Sequence, residues 1–334
     1  SDKSRPKNEF ATVSARSFEV EQTNKFSGSR NDPARMASNF AGVSGANDAR
    51  NDIIARGGSP SENFIMIDGI EIPNINHFAT QGASGGPIGM INVDFLEDVN
   101  FSAGGFGVKY GDRLSSVMDI KYREGDKHGL HGKLDIGLAG GGIILEGPIQ
   151  EDRSSFLISA RRSYLDFIVG GTGLTAVPNY WNFNAKATFV LSKQHKLTFI
   201  GIGGIDNITF DDFGAEDSPF LSTRIYKGSQ ALIGLSDNWL VNSNCFIRTS
   251  VSTDRYKVDF QRDTIGRTQN YNRALESETL LRSDMSYRLS PEDLLEIGIT
   301  ARAISDNNEL YQEKRVDKFG VERPELRLNQ TTNA

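Results

Sequence analysis

Apolar and polar residues alternate one by one along most of the chain beyond about residue 129. The clearest run is Trp181 to Ser192, where Trp181, Phe183, Ala185, Ala187, Phe189 and Leu191 alternate with Asn182, Asn184, Lys186, Thr188, Val190 and Ser192. Successive side chains of a strand point to opposite faces, so this run predicts a strand with one apolar face. The pattern recurs in Leu281, Met285, Tyr287 and Leu289 against Arg282, Asp284, Ser286 and Arg288, and in Leu295, Ile297, Ile299 and Ala301 against Glu296, Gly298, Thr300 and Arg302. A weaker version sets Cys245, Ile247 and Val251 against Asn244, Arg248 and Ser252. About eight strands are expected, near 130–147, 153–164, 180–192, 195–209, 223–240, 243–260, 273–290 and 293–310.

Their connections separate two architectures. A soluble β-sandwich also alternates, because each sheet buries one face. Here, however, short links at Ser192–His195, Val241–Asn244 and Ser290–Asp293 take turns with long ones near 165–179, 210–222 and 261–272. Short turns at one end and long loops at the other are the habit of membrane barrels, as are aromatic residues near strand ends, here Tyr164, Phe167, Tyr180, Trp181 and Trp239. A transmembrane barrel is therefore expected, with Phe183, Phe189, Leu281, Met285, Tyr287, Ile297 and Ile299 facing lipid.

The first part of the chain is built differently. From about Asn31 to Gly125 it is glycine-rich and broken into short pieces. Phe64 to Ile67, then Asp68-Gly69, then Ile70 to Ile72 reads as a hairpin, since Asp-Gly supplies the positive φ angles of a type I′ turn. Pro33 to Ala37 reads as a short helix capped by Asp32 or Asn31. Ile53, Ile54, Phe64, Ile65, Ile67 and Ile70 are expected to share a compact core, and the chain divides into domains at 1–128 and 129–334. The fold class is thus all-β dominated, a small α/β unit followed by antiparallel strands.

Composition narrows the function. No apolar run reaches the roughly 18 residues of a membrane-spanning helix, and mean hydropathy is −0.40, a value that barrels tolerate because their strands average out as polar. A net charge of −6 without basic blocks excludes a nucleic-acid groove. Cys245 is the only cysteine, which excludes an internal disulfide and a thiolate metal site. Ser1 to Lys7 lack the pattern of a signal peptide. Gly105, Gly107 and Gly111 have the wrong spacing for a phosphate loop. His128 and His131 lack a third metal ligand, and Asp211, Asp212, Glu216 and Asp217 read as a solvated loop rather than a calcium site. No nucleophile stands beside a base, and Ser115 and Ser116 read as structural. No enzyme, cofactor or metal centre is expected.

Five blocks in order carry a family resemblance over about residues 9–125: NDPARMASNFAGVSG (31–45), NDIIARGG (51–58), FIMIDGIEIPNINHF (64–78), GASGGPIGMIN (82–92) and GGFGVKYGDRLSSVMDIKYREG (104–125). They resemble the plug of TonB-dependent outer-membrane receptors, particularly the forms common in Bacteroidota. LEGPI (145–149) and SARRSYLDF (159–167) continue the resemblance into the first barrel strands. The resemblance implies a plug inside a barrel of about 22 strands in the outer membrane, importing a scarce nutrient such as an iron chelate, including siderophores, or cobalamin, with energy from the TonB complex. An eight-stranded barrel is filled by its own side chains, so the strands seen are expected to be the first part of a larger barrel. No energy-coupling box is evident before Glu9, and the expectation is that one lies upstream of Ser1.

The resemblance also implies that the loop after the hairpin points outward, making Asn74, Asn76, His77, Phe78 and Gln81 the expected ligand-binding apex. Packing of this loop against the barrel wall is the competing reading. Arg56 and Arg113 are expected to pair with acidic groups in the plug or on the wall, Glu276, Glu278, Asp284 and Glu296 being available. Bracing of glycine turns through backbone carbonyls is the alternative for both. Expected partners are the TonB complex, outer-membrane lipid, a small-molecule ligand and, in the second functional reading, other outer-membrane proteins. An anchor or channel partner in a larger outer-membrane assembly is the second functional reading, and a soluble carbohydrate-binding module a distant third.

Overall fold

A computed structural model describes residues 15–19, 32–45, 50–79, 81, 85–107, 109–137, 140–164, 178–211, 222–264, 267–316 and 319–334. Phe167 and the acidic residues Asp212, Glu216 and Asp217 fall outside them.

The N-terminal unit is a five-stranded mixed sheet. Its strands are β1 (Ala15–Glu19), β2 (Asn63–Ile67), β3 (Ile70–Glu71), β4 (Leu96–Ser102) and β5 (Ser116–Tyr122), in the order β1-β4-β5-β2-β3. β2 lies parallel to β5, and all five of its residues are buried, as a strand covered on both faces requires. The expected hairpin is present: Asp68 and Gly69 have φ of 49° and 86° between β2 and β3. Helix α1 (Pro33–Ala37) begins at Asp32, whose Oδ1 accepts the backbone N–H of Ala34 at 2.8 Å. Ile53, Phe64, Ile65, Ile67 and Ile70 are buried and Ile54 is half-buried.

The second unit is one antiparallel sheet of ten strands in sequence order. They are β6 (His131–Ile136), β7 (Gly140–Gln150), β8 (Ser154–Ser163), β9 (Asn179–Val190), β10 (His195–Asp211), β11 (Ser222–Asn242), β12 (Cys245–Thr264), β13 (Arg267–Arg288), β14 (Leu294–Gln312) and β15 (Leu326–Asn333). Three expectations need correction. The strand placed at 130–147 is a hairpin, turned where the Gly137 N–H reaches the Gly140 carbonyl. The long link placed at 261–272 is strand, because β12 runs to Thr264 and β13 starts at Arg267. β15 was not foreseen, since its sequence LRLNQTTN barely alternates. The second correction has a cause: beyond the apolar band most outward positions are polar, as at Thr279, Ser277 and Arg273 on β13, so periodicity fades while the ladder continues.

β12 has 20 residues; at about 3.4 Å per residue and a tilt near 45° such a strand rises about 48 Å, more than the roughly 30 Å hydrocarbon core. The strands therefore project past the bilayer. On the convex face Phe183, Leu281, Tyr287, Ile297 and Ile299 are exposed and Phe189 and Met285 half-exposed, all with the expected outward parity. The concave face wraps the plug: Ile144, Leu157, Ile200, Ile202 and Leu232 of the wall share one buried cluster with Ile65, Ile70, Phe95 and Tyr122. The plug core is thus continuous with the wall rather than separate. Among the described residues β6 and β15 are not paired with each other, so the sheet is an open arc.

Candidate functional site at the plug and wall

Alternation places the polar set of every wall strand on the concave face, where it meets the plug. Several of the polar side chains that the wall offers hold the loop that follows β3. Asn74 accepts the N–H of Asn76 at 3.1 Å and donates to Gln230 on β11 at 3.2 Å; Gln230 in turn donates to the Asn74 carbonyl at 3.1 Å and to Asp254 at 3.2 Å. Asn51 donates to Asn76 at 3.2 Å.

His77 is fully buried. Its Nδ1 stands 2.6 Å from Asp206 Oδ1 on β10, and its Nε2 stands 3.3 Å from the Asn182 amide nitrogen on β9. The amide can only donate, so Nε2 accepts and the ring proton sits on Nδ1 toward Asp206. The second Asp206 oxygen accepts the Phe78 N–H at 2.8 Å, holding Phe78 at φ 53°. Tyr226 and Tyr256 both donate to the Ala79 carbonyl, at 3.0 and 2.9 Å. Gln81 donates to Asn308 at 2.7 Å and accepts from Asn272 at 3.0 Å. Beside this loop lies a cavity of about 290 Å³ lined by Asn74, Arg113, Gln230, Asp254, Tyr256 and Glu276 among others.

The other end of the plug is held by charge. Lys186 on β9 donates to Asp68 in the hairpin turn at 2.9 Å and to the Tyr122 carbonyl at 2.6 Å. Burial pushes the Asp68 carboxyl up from its usual value, and the Lys186 ammonium opposes that shift. At the link between the domains burial favours neutral Glu124, but hydrogen bonds from Lys127 and Lys196 outweigh it and hold its pKa at about 2. A third connection runs Arg113–Glu71–Arg302–Glu278, with N–O distances of 2.9, 3.0 and 3.1 Å. It ties β3 to β14 through the buried Glu71.

The structure brings the five apex residues together, yet it turns Asn74, Asn76 and His77 into the interface, with Phe78 half-buried and Gln81 bonded to the wall. Arg113 has a carboxylate partner, Glu71 of the plug itself, not one of the wall acids named from the sequence. Of those, Glu278 pairs with Arg302 and Asp284 with Arg282. Arg56 sits in an exposed turn at φ 51°, its N–H donated to the Gly42 carbonyl and its side chain beside Gly104. Tyr180 is no part of an outer girdle: its ring faces His77 at 4.6 Å between centroids. Ser115 and Ser116 donate to the Ala55 carbonyl and to Asn63, at 3.0 and 2.7 Å. His128 and His131 are exposed beside Asp152 and Asp126.

Asp206, Gln230, Tyr226, Tyr256, Asn182 and Lys186 were missed as contact residues. Inward parity on their strands was a signal that finds them, since each lies opposite an outward apolar or small residue on the same strand. Two inward glycines also matter, because a Cβ on Gly204 would stand 2.7 Å from Met90 Sδ and one on Gly234 2.7 Å from Ile70 Cδ1. They are notches for plug side chains.

A domain lodged in the concave face of an antiparallel arc with an apolar outer surface is the arrangement of part of a plugged membrane β-barrel. Residues 8–116 match the TonB-dependent receptor plug domain family. The chain carries that plug and has the fold of TonB-dependent outer-membrane receptors, which are outer-membrane barrels and not enzymes. It aligns over 100% of its length with the ferric yersiniabactin uptake receptor FyuA from Yersinia pestis, at TM-score 0.58 and 9% identity, covering 61% of that chain. The ferric-catecholate import receptor Fiu from E. coli K12 aligns over 95% at TM-score 0.62 and 12% identity, with 52% of that chain covered. FpvA from P. aeruginosa aligns over 97% at TM-score 0.61 and 13% identity, with 48% covered. The chain therefore spans about half to three-fifths of the length of these receptors. No curated protein sequence matches it.

Proposed function

We propose that the chain, with residues 1–128 as plug and 129–334 as the start of the barrel, belongs to an energy-coupled importer of a scarce nutrient such as an iron chelate or cobalamin. The observation that carries this reading is the kind of interface the plug makes. Its contacts with the wall include many hydrogen bonds and ion pairs that water can replace, beside an apolar seam at Ile144, Leu157, Ile200, Ile202 and Leu232 and a smaller one where Ala79 meets Val258 and Ala274. An anchored structural domain needs no exchangeable contacts; a plug that moves does.

In this reading a small-molecule ligand meets the outer side of the loop at Asn74, Asn76, His77, Phe78 and Gln81, and the TonB complex pulls from the periplasmic side. Phe78 and Gln81 are the most accessible of the five, and the adjoining cavity offers Tyr256 and Gln230 as further contacts. Arg113 serves the plug's attachment through Glu71 and Arg302, and Arg56 braces the plug's own turn at Gly104. The test uses the full-length protein in cells, with radiolabelled ferric chelates and cobalamin offered separately. Accumulation of one of them only when the TonB complex is present is the expected result. Binding without energy-dependent accumulation of any would overturn import and favour an anchoring role.

A further inference from the structure

Two polar cavities flank the plug on the same strand of the wall. One, of about 530 Å³, is lined by Asp94 of the plug and by Lys133, Arg161, Tyr180 and Asn182 of the wall. The other, of about 510 Å³, is lined by Asp68, Glu124, Lys186, Lys196 and Thr198 among others. Asn182 touches the first and Lys186 the second, and Asn184 is the one inward position between them on β9. β9 runs from the long-link end at Asn179 toward the short turn at Ser192–Gln194, so the first cavity is the outer of the two.

We propose that the passage for a hydrated, hydrogen-bonding solute runs along the inner face of β9, through these two chambers. The clasp that separates them at Asn184 is neutral, with the buried Lys186–Asp68 pair at the edge of the inner chamber. The Met90 carbonyl accepts from Asn182 at 2.6 Å and from Asn184 at 3.0 Å, and Tyr122 donates to the Asn184 oxygen at 3.1 Å. Beside this clasp Arg123 Nε reaches the Asp94 carbonyl at 2.7 Å. The β14 side of the plug is closed instead by the charged Glu71–Arg302–Glu278 chain. Neutral hydrogen bonds exchange with water more readily than charge-assisted ones, so the Asn182–Asn184 clasp gives way before the charged contacts of Lys186 with Asp68 on the same strand and of Glu71 and Arg302 on the β14 side. Each chamber carries both signs of charge, Asp94 with Lys133 and Glu124 with Lys196, which suits a polar solute of either sign and excludes an apolar one. The passage rests on the import reading, but it is tested by passive leak. A failed import assay leaves it standing, and an absent leak leaves import standing.

The experiment measures potassium chloride current through the full-length receptor in planar bilayers, together with the vancomycin sensitivity of cells expressing it. The double variant Asn182→Ala, Asn184→Ala removes both donors from the Met90 carbonyl. Leak is expected to rise about tenfold, the shift in an opening equilibrium that loss of one to two neutral hydrogen bonds brings. Tyr226→Phe, which removes one donor from the Ala79 carbonyl elsewhere on the loop, should leave leak at the wild-type level. In a Cys245→Ser background, adding Thr198→Cys and a sulfonated methanethiosulfonate reagent should silence the extra current. Heat-modifiability on a denaturing gel reports whether each barrel is folded; if the double variant fails to fold, Asn184→Ser carries the same prediction. A folded variant without leak, an equal leak in the tyrosine control, or a current that modified Thr198→Cys does not block overturns the proposal.

Discussion

At the scale of single residues, Asp206 commits both its oxygens to consecutive residues of the plug loop, His77 and Phe78. Phe78 is kept in the left-handed region by this contact, a conformation that costs an L-residue about 1–2 kcal/mol. Replacing Asp206 with alanine leaves one buried and one part-buried donor unmatched, and loss at a buried group destabilises by about 1–3 kcal/mol. Faster hydrogen exchange at the amides of residues 74–79 is expected in Asp206→Ala, with exchange in β2 and β5 unchanged. Unaltered exchange in the loop would mean that Asp206 does not anchor it. Glu124 gives a pH dependence. Its folded pKa of about 2 lies below the reference value of 4.5, so its stabilising contribution is complete above about pH 4.5 and drains away as the pH falls toward 2. Glu124→Gln should flatten the stability profile of the plug–barrel link over that window alone, as read by proteolysis near Gly125. A profile that keeps its acid limb assigns the limb to other carboxylates.

At the scale of elements, the wall strands combine a short apolar band with long polar extensions. Leu281 on β13 is 50% exposed and Ile297 on β14 is 54% exposed, in the middle of the band facing lipid. An arginine there costs about 2–4 kcal/mol in a bilayer. Leu281→Arg in the full-length protein is expected to reduce folding into lipid vesicles by that amount, while Thr279→Arg, nearer the long-loop end of the same face, should cost less. Equal costs at both positions would place the band elsewhere. The strand ends explain why the sequence reading stopped short. Lipid selects for apolar residues only within its own thickness, so the alternation that marks Trp181 to Leu191 vanishes at Thr264 and Arg267 although the ladder persists.

At the scale of the whole molecule, plug and wall fit by shape as well as polarity. Gly234 makes room for Ile70, and a side chain there meets the Ile70 methyl groups at under 3 Å. Gly234→Val should push the hairpin off the wall and make the plug sensitive to limited proteolysis, without loss of the barrel's heat-modifiability. Resistance equal to wild type would show that the hairpin relaxes around the added methyls.

The sequence by itself determined what depends on neighbours along the chain: the Asp68-Gly69 turn, the Asp32 cap, the outward parity of the wall and the boundary between glycine-rich and alternating regions. Each follows from local φ preference or from the period of two. Only the tertiary structure decided which polar residues meet, because contacts such as His77 with Asp206 or Glu71 with Arg302 join positions 129 and 231 residues apart. Parity tells that Asp206 and Arg302 face inward, but not what stands opposite. The turning of Asn74, Asn76 and His77 into the interface has the same cause. A polar loop can satisfy its donors with water or with a wall, and the choice is set by how close the wall comes, a distance that glycines at 204 and 234 fix from the other side.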